Sequence, residues 1–240
     1  MADVAAQIGA SLNALTREFD IAAHNMANVS TVGYKRRCNS FTQVLAGQKG
    51  GQGEEKGGSQ GFYDFSQGHL VQTDRKLDFA LYGEGFFVLE TPDGPMYTRH
   101  GTFQTNQNGQ IVDTAGRIVA GMAGPIIVPP NANVTELYTA EDGRVIAGNS
   151  VIGQFRIVNF PDDKDKLQAV GDSCFQLSKD VDPVDATDVI VKEGYQEASN
   201  VKLVEELVNM VLVSRMYEAN MKLVGAKKDS SGTAISVAMG

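Results

Sequence analysis

The sequence predicts an α+β fold in which N- and C-terminal heptad helices pair as a coiled-coil stalk, with an antiparallel β domain inserted between them. Three observations carry this reading. Apolar residues recur at alternating 3/4 spacing at each end of the 240-residue chain, the middle alternates with period two between tight-turn dipeptides, and a glycine-rich stretch without apolar side chains separates the first zone from the second. A chain of this length can bury an ordinary core as one or two domains without a disulfide or metal staple.

The N-terminal series Ala5, Ile8, Leu12, Leu15, Phe19, Ala22, Met26, Val29 advances by 3 and 4 in strict alternation, so a helix of roughly 40 Å is expected, with Gly33 as its stop. Gly47 to Gly61 then holds seven glycines in fifteen residues and is expected to be a flexible loop. Strands are readable around residues 77–81, 86–89, 96–99, 110–112, 117–120, 126–128, 144–147 and 151–160, with hairpin turns at Asp93-Gly94, Asn108-Gly109 and Asp142-Gly143. A second helix is expected from near Ser199, with Leu203, Leu207, Met210, Tyr217, Met221 and Val224 on one seam and Val204, Val208 and Val211 widening its apolar face. The domains so predicted are a terminal helical domain (1–33 and 199–240), an extended connector (34–75 and 181–198) and an outer β domain (76–180). Periodicity alone is equally compatible with two helices that simply cover the β domain.

Charge and motifs exclude several function classes. Twenty-one Lys and Arg against 29 Asp and Glu give a net charge of -8, the wrong sign for a nucleic-acid partner. No apolar run approaches the length of a membrane span, and residues 1–14 have neither the basic start nor the apolar core of a secretory signal. Cys38 and Cys174 form no metal or disulfide spacing, and His24, His69 and His100 read as isolated surface or turn residues. Gly83-Glu-Gly85 begins like a dinucleotide fingerprint but leads into a strand, which marks a turn. The acidic runs Asp162, Asp163, Asp165 and Asp180, Asp182, Asp185, Asp188 lack the calcium-loop pattern and read as solvated turns. Lys35-Arg36-Arg37, the sole basic cluster, reads as a surface feature at the helix exit. No catalytic residue, metal ligand, cofactor or small-molecule substrate is expected.

Three segments carry a resemblance. His24 to Lys35 is similar to the N-terminal signature of the bacterial flagellar rod and hook axial protein family, with Asn25, Ala27, Asn28, Thr31, Gly33, Tyr34 and Lys35 matching and His24, Met26 and Val32 departing from the commoner residues. Leu77 to Phe87 and Tyr97 to Phe103 resemble the family's middle elements. Ser199, Asn200, Val201 and Glu205, followed by Arg215, Tyr217, Glu218, Asn220 and Lys222, look like its C-terminal helix, although Lys227 to Gly232 departs from the Leu/Met heptads usual there.

The resemblance implies a structural subunit of the flagellar basal-body rod, polymerising helically into the shaft that transmits motor torque to the hook. It implies a place in the proximal rod, the distal rod being the alternative; a remote alternative from another class is a secreted β-domain enzyme or carbohydrate-binding module. The partners it implies are further copies of the chain, other rod and hook proteins and the flagellar type III export apparatus, with a periplasmic location reached without a cleaved signal. Ile8, Leu12, Leu15, Phe19, Met26, Leu203, Leu207, Met210, Tyr217 and Met221 are the expected interface residues of the helices.

Overall fold

The structure is a computed structural model that describes residues 2–39, 62–130, 132–177 and 182–239, with side chains described between 7 and 226. The glycine-rich stretch expected to be flexible lies outside these residues, as does Asp180. Contacts divide the chain into two compact units. The described residues of a helical unit fall within Met1–Ala27, Arg37–Phe62 and Val201–Gly240, and those of a β unit within Asn28–Arg36 and Tyr63–Asn200.

The elements in chain order are α1 (Ala2–Ala27), β1 (Arg36–Cys38), β2 (Phe62–Asp64), β3 (Leu70–Gln72), β4 (Phe79–Tyr82), β5 (Phe86–Glu90), β6 (Met96–Thr98), β7 (Gln104–Thr105), β8 (Ile111–Val112), β9 (Ile118–Gly121) and β10 (Gly124–Pro125). There follow β11 (Leu137–Thr139), β12 (Arg144–Ala147), β13 (Ser150–Gln154), β14 (Ile157–Asn159), β15 (Leu167–Gly171), β16 (Cys174–Leu177), β17 (Val184–Asp185), β18 (Ile190–Glu193), β19 (Tyr195–Glu197) and α2 (Leu203–Met239).

The β unit is built around β5. In the main sheet the path runs β15-β16-β6-β5-β9-β8-β7, and β14 also pairs with β5. Period-two alternation sends Phe87 and Leu89 into one apolar cluster, with Phe79, Phe103, Ile111, Val119 and Phe155, and sends Phe86 and Val88 into a second, with Tyr97, Val158, Phe160 and Phe175. A strand buried on both faces reads as a continuous apolar run, as Phe86-Phe-Val-Leu89 does. Edge-to-face ring pairs, among them Phe87 with Phe103 at 5.2 Å and Tyr97 with Phe160 at 4.8 Å, fix the packing of both clusters.

The three turn dipeptides do join hairpins, by one shared device. In Thr91–Gly94, Asn106–Gly109 and Ala140–Gly143 the glycine N–H donates to the carbonyl three residues back, and the glycine takes a left-handed φ of +117°, +74° and +83°. Asp113–Gly116 repeats the device without a turn dipeptide to announce it, aided by Asp113 Oδ1, which accepts from the amides of Ala115 and Arg117. The β15–β16 hairpin was not expected, because Asp172-Ser173 fills both left-handed positions (φ +50° and +56°) with residues other than glycine. Two expected strands also change: 126–128 contributes only the single bridge from Ile127 to Gln110, and 151–160 divides into β13 and β14.

The coiled-coil stalk of the expected α+β class is corrected by the structure. The chain is mostly β-sheet, with one helix at each end, and the heptad seams do not form a shared apolar core. Leu203, Leu207, Tyr217 and Met221 are 44%, 43%, 40% and 46% exposed, and Phe19 is 39% exposed. The antiparallel helices meet instead along a largely polar line on which Asn209 donates to Glu18 (3.2 Å), Asn220 to Ser11 (3.4 Å) and Asn25 to Glu206 (3.3 Å), with Val213, Leu15 and Ala22 buried. The physical reason lies in α2: with Val204, Val208, Val211 and Leu212 also exposed and apolar, its apolar residues circle the helix, so spacing could not say which face turns to α1. Glu206 and Asn209, which have polar partners there, decide it.

Relief of left-handed strain at the unexpected hairpin is measurable. Replacing Ser173 with glycine should raise the stability of the β unit by about 1 kcal/mol, since a non-glycine residue in this conformation costs of that order. The check is an increase in urea midpoint at unchanged m-value.

Candidate functional site

The described residues of the β unit hold a buried ion cluster. Glu197 ends β19, Arg99 directly follows β6, and Lys35 lies in the segment through which the chain first enters the unit. Their side chains are 0%, 3% and 1% exposed. Glu197 Oε1 accepts from Lys35 Nζ at 2.7 Å and from the Gly68 amide at 2.9 Å, while Oε2 accepts from Arg99 Nη1 at 3.3 Å.

Two cations thus share one carboxylate, and backbone carbonyls add to their coordination, leaving Arg99 Nε buried without a hydrogen-bond partner. Lys35 Nζ donates to Ser66 O (2.7 Å), and Arg99 donates to Leu81 O (3.4 Å) and Gly83 O (2.7 Å). The Arg99 guanidinium also stands 5.4 Å from the centre of the Phe86 ring. Burial pushes the Lys35 ammonium below its ordinary pKa, opposed by the Glu197 charge and reinforced by Arg99. Burial lowers Arg99 likewise, again opposed by Glu197. With each ion closed to water and bonded to the others or to backbone carbonyls, the arrangement can hold chain segments together.

Neighbouring residues extend the tie. The Gly33 amide donates to Glu197 O (2.7 Å), and the Arg36 amide to Asn200 Oδ1 (2.7 Å). Asn200 Nδ2 in turn reaches Asp64 O and Ser66 O. Gly33 has φ +67°, and a Cβ there would stand 2.5 Å from the His100 amide nitrogen, so both conformation and space demand glycine.

Comparison with known proteins supplies the context. A profile described as the flagellar hook protein FlgE/F/G D1 domain matches residues 80–147, and one described as the flagellar basal body rod FlgEFG protein C-terminal matches residues 192–237. The flagellar basal-body rod protein FlgG of Buchnera aphidicola subsp. Schizaphis graminum is 33% identical, over 89% of this chain and 91% of that protein. FlgF of Mesorhizobium japonicum is 30% identical over 92% of each, and FlgG of Bacillus subtilis 30% over 86% and 88%. The chain belongs to the flagellar basal-body rod protein family.

Against this rod-family background, the structure gives several signature residues a physical place. Arg99 falls in the first matched segment and Glu197 in the second. In the helical unit, buried Asn25 pairs with the Arg37 backbone in both directions at 2.9 Å, as a peptide group would. In the β unit the Thr31 hydroxyl donates to Asn28 Oδ1, and Tyr34 is buried. Ser199 and Val201 are buried. Ala27 ends α1, exposed.

The structure does not bring all the expected site residues together. Glu205, Arg215, Glu218 and Lys222 lie on exposed positions of α2, while Ile8, Leu12, Met26 and Met210 are half-buried. An apolar groove of about 410 Å³ runs between Leu15, Phe19, Val213 and Tyr217. Lys35, expected on the surface with Arg36 and Arg37, is instead among the most buried side chains, because Glu197 neutralises it from 162 residues away. Glu197 itself had no sequence signal, being one acidic residue in a short strand. Among the described residues no three His, Cys, Asp or Glu side chains are grouped to hold a metal ion.

Gly33→Ala should therefore destabilise the β unit by about 2 kcal/mol or more, from left-handed strain and overlap with the chain at His100. Urea unfolding of the purified variant is the check.

Proposed function

We propose that the protein is a structural, non-enzymatic subunit of the proximal flagellar rod, polymerising helically with further copies and with other rod and hook proteins. The observation that carries this reading is the unpartnered apolar surface of α2. Leu207, Val208, Val211, Leu212 and Met216 are each 43–55% exposed, a cluster of apolar side chains of the kind that marks an interaction surface. A surface of this kind, repeated on every copy, supports head-to-tail contacts that do not close and so build a filament. Family membership supports the rod as that filament, and with it a basal-body location. The route there is the flagellar type III export apparatus, as the family resemblance implies.

The prediction is a separation of stability from assembly. Leu207→Asp or Phe19→Asp should leave the isolated protein folded, at a cost of about 1 kcal/mol, because the two side chains are already 43% and 39% exposed. In cells the same substitutions should abolish rods and motility, since a charge buried at every subunit contact recurs along the polymer. Motility assays with electron microscopy of basal bodies test this; normal rods in both variants would refute the assignment of these faces to assembly. Antibody or tag labelling along purified basal bodies, proximal to the hook-end segment, tests the position in the rod.

A further inference from the structure

We propose that Glu197 is a positioning residue that ties together two of the segments at the borders of the β unit, residues 33–36 and 197–200, and that its carboxylate, more than either cation, sustains that tie. This goes beyond the rod reading and does not depend on it, because it concerns how the β unit holds its own ends.

The two segments are 162 residues apart in sequence at Lys35 and Glu197, so their adjacency must be held against the freedom of a long loop. Uncharged bonds contribute at the margins: Gly33 N–H to Glu197 O and Arg36 N–H to Asn200 Oδ1. At the centre one carboxylate receives donors from three other places in the unit: the first segment (Lys35), the segment before β3 (Gly68) and the residue after β6 (Arg99). The Cβ of any larger residue at position 68 would fall 1.9 Å from Ala198 O, so this segment lies directly against the chain that follows β19.

Charge counting separates the three ions. The intact cluster carries one net positive charge. Loss of the carboxylate leaves two positive charges in a space closed to water, whereas loss of Lys35 leaves the neutral pair Arg99–Glu197. Ser66 O, which Lys35 would abandon, keeps a donor in Asn200 Nδ2 at 3.1 Å. A buried ion stripped of its partner is strongly unfavourable, while a balanced or absent set is tolerated. Arg99 is held by two carbonyls and lies over Phe86, so it stays. The cheapest relief in the absence of the carboxylate is for Lys35 to reach water by lifting residues 33–36 away.

The test is amide hydrogen exchange followed by NMR on the full-length monomer, comparing wild type with Glu197→Gln, Lys35→Met and the double variant. Glutamine preserves shape and an acceptor for Gly68. Glu197→Gln is expected to raise exchange at Gly33 and Arg36 by about tenfold or more, with β5 and β6 near wild type. Lys35→Met should stay within about threefold of wild type, and the double variant should recover most of the loss, because it restores the net charge of the intact cluster. The proposal is overturned if Glu197→Gln leaves these amides unchanged, if Lys35→Met opens them equally, or if the double variant shows no recovery. It is equally overturned if β5 and β6 open together with the attachment, which would make Glu197 a determinant of the whole β fold.

Discussion

Two cations and one carboxylate, all closed to water, hold together segments of the β unit that are 162 residues apart in sequence at Lys35 and Glu197. The constraint is severe, because each ion loses several kcal/mol of hydration that only close partners return. Lys35, Arg99 and Glu197 meet it with one another and with the carbonyls of Ser66, Leu81 and Gly83. Much of the local chain follows from this. Gly33 must be glycine because the segment carrying Lys35 passes against His100, and Asn200 must bridge to Ser66 because the departing strand lies beside the arriving one.

Around this tie the β unit obtains its stability in the ordinary way. Phe86 to Leu89 feed alternate side chains into two aromatic clusters, and the same four-residue turn with a left-handed glycine closes four hairpins. The helical unit is organised differently. Its helices recognise each other through Asn25–Glu206, Asn209–Glu18 and Asn220–Ser11 and leave apolar side chains of α2 outside. Polar pairs fix register within one chain, and the apolar side chains of α2 stay exposed, as the proposed assembly contacts require.

The parts of this structure legible in the sequence are those set by local chemistry. The presence of α1 and α2 follows from helical periodicity, although α1 ends at Ala27, ahead of Gly33, and α2 begins at Leu203 and not near Ser199; the three hairpins at Gly94, Gly109 and Gly143 follow from turn dipeptides. The β15–β16 hairpin was not legible, because Asp172-Ser173 carries no glycine to mark its two left-handed positions. The helix–helix face failed for a different reason: α2 is apolar around most of its circumference, so the 3/4 seam of Leu203, Leu207 and Tyr217 did not single out the side that packs. The ion cluster was half legible. Lys35 and Arg99 lie in segments that resemble family signatures, but their depth depends on Glu197, whose approach is a property of the β topology and has no local mark.

The central claim, that the exposed side of α2 is an assembly surface of the rod, is tested most directly by electron cryomicroscopy of basal bodies purified from cells carrying this chain. In a reconstruction that resolves side chains, Leu207, Leu212 and Met216 of each copy are expected to lie against helices of neighbouring subunits. A rod in which those side chains face solvent, or a basal body without density for this chain, would contradict it.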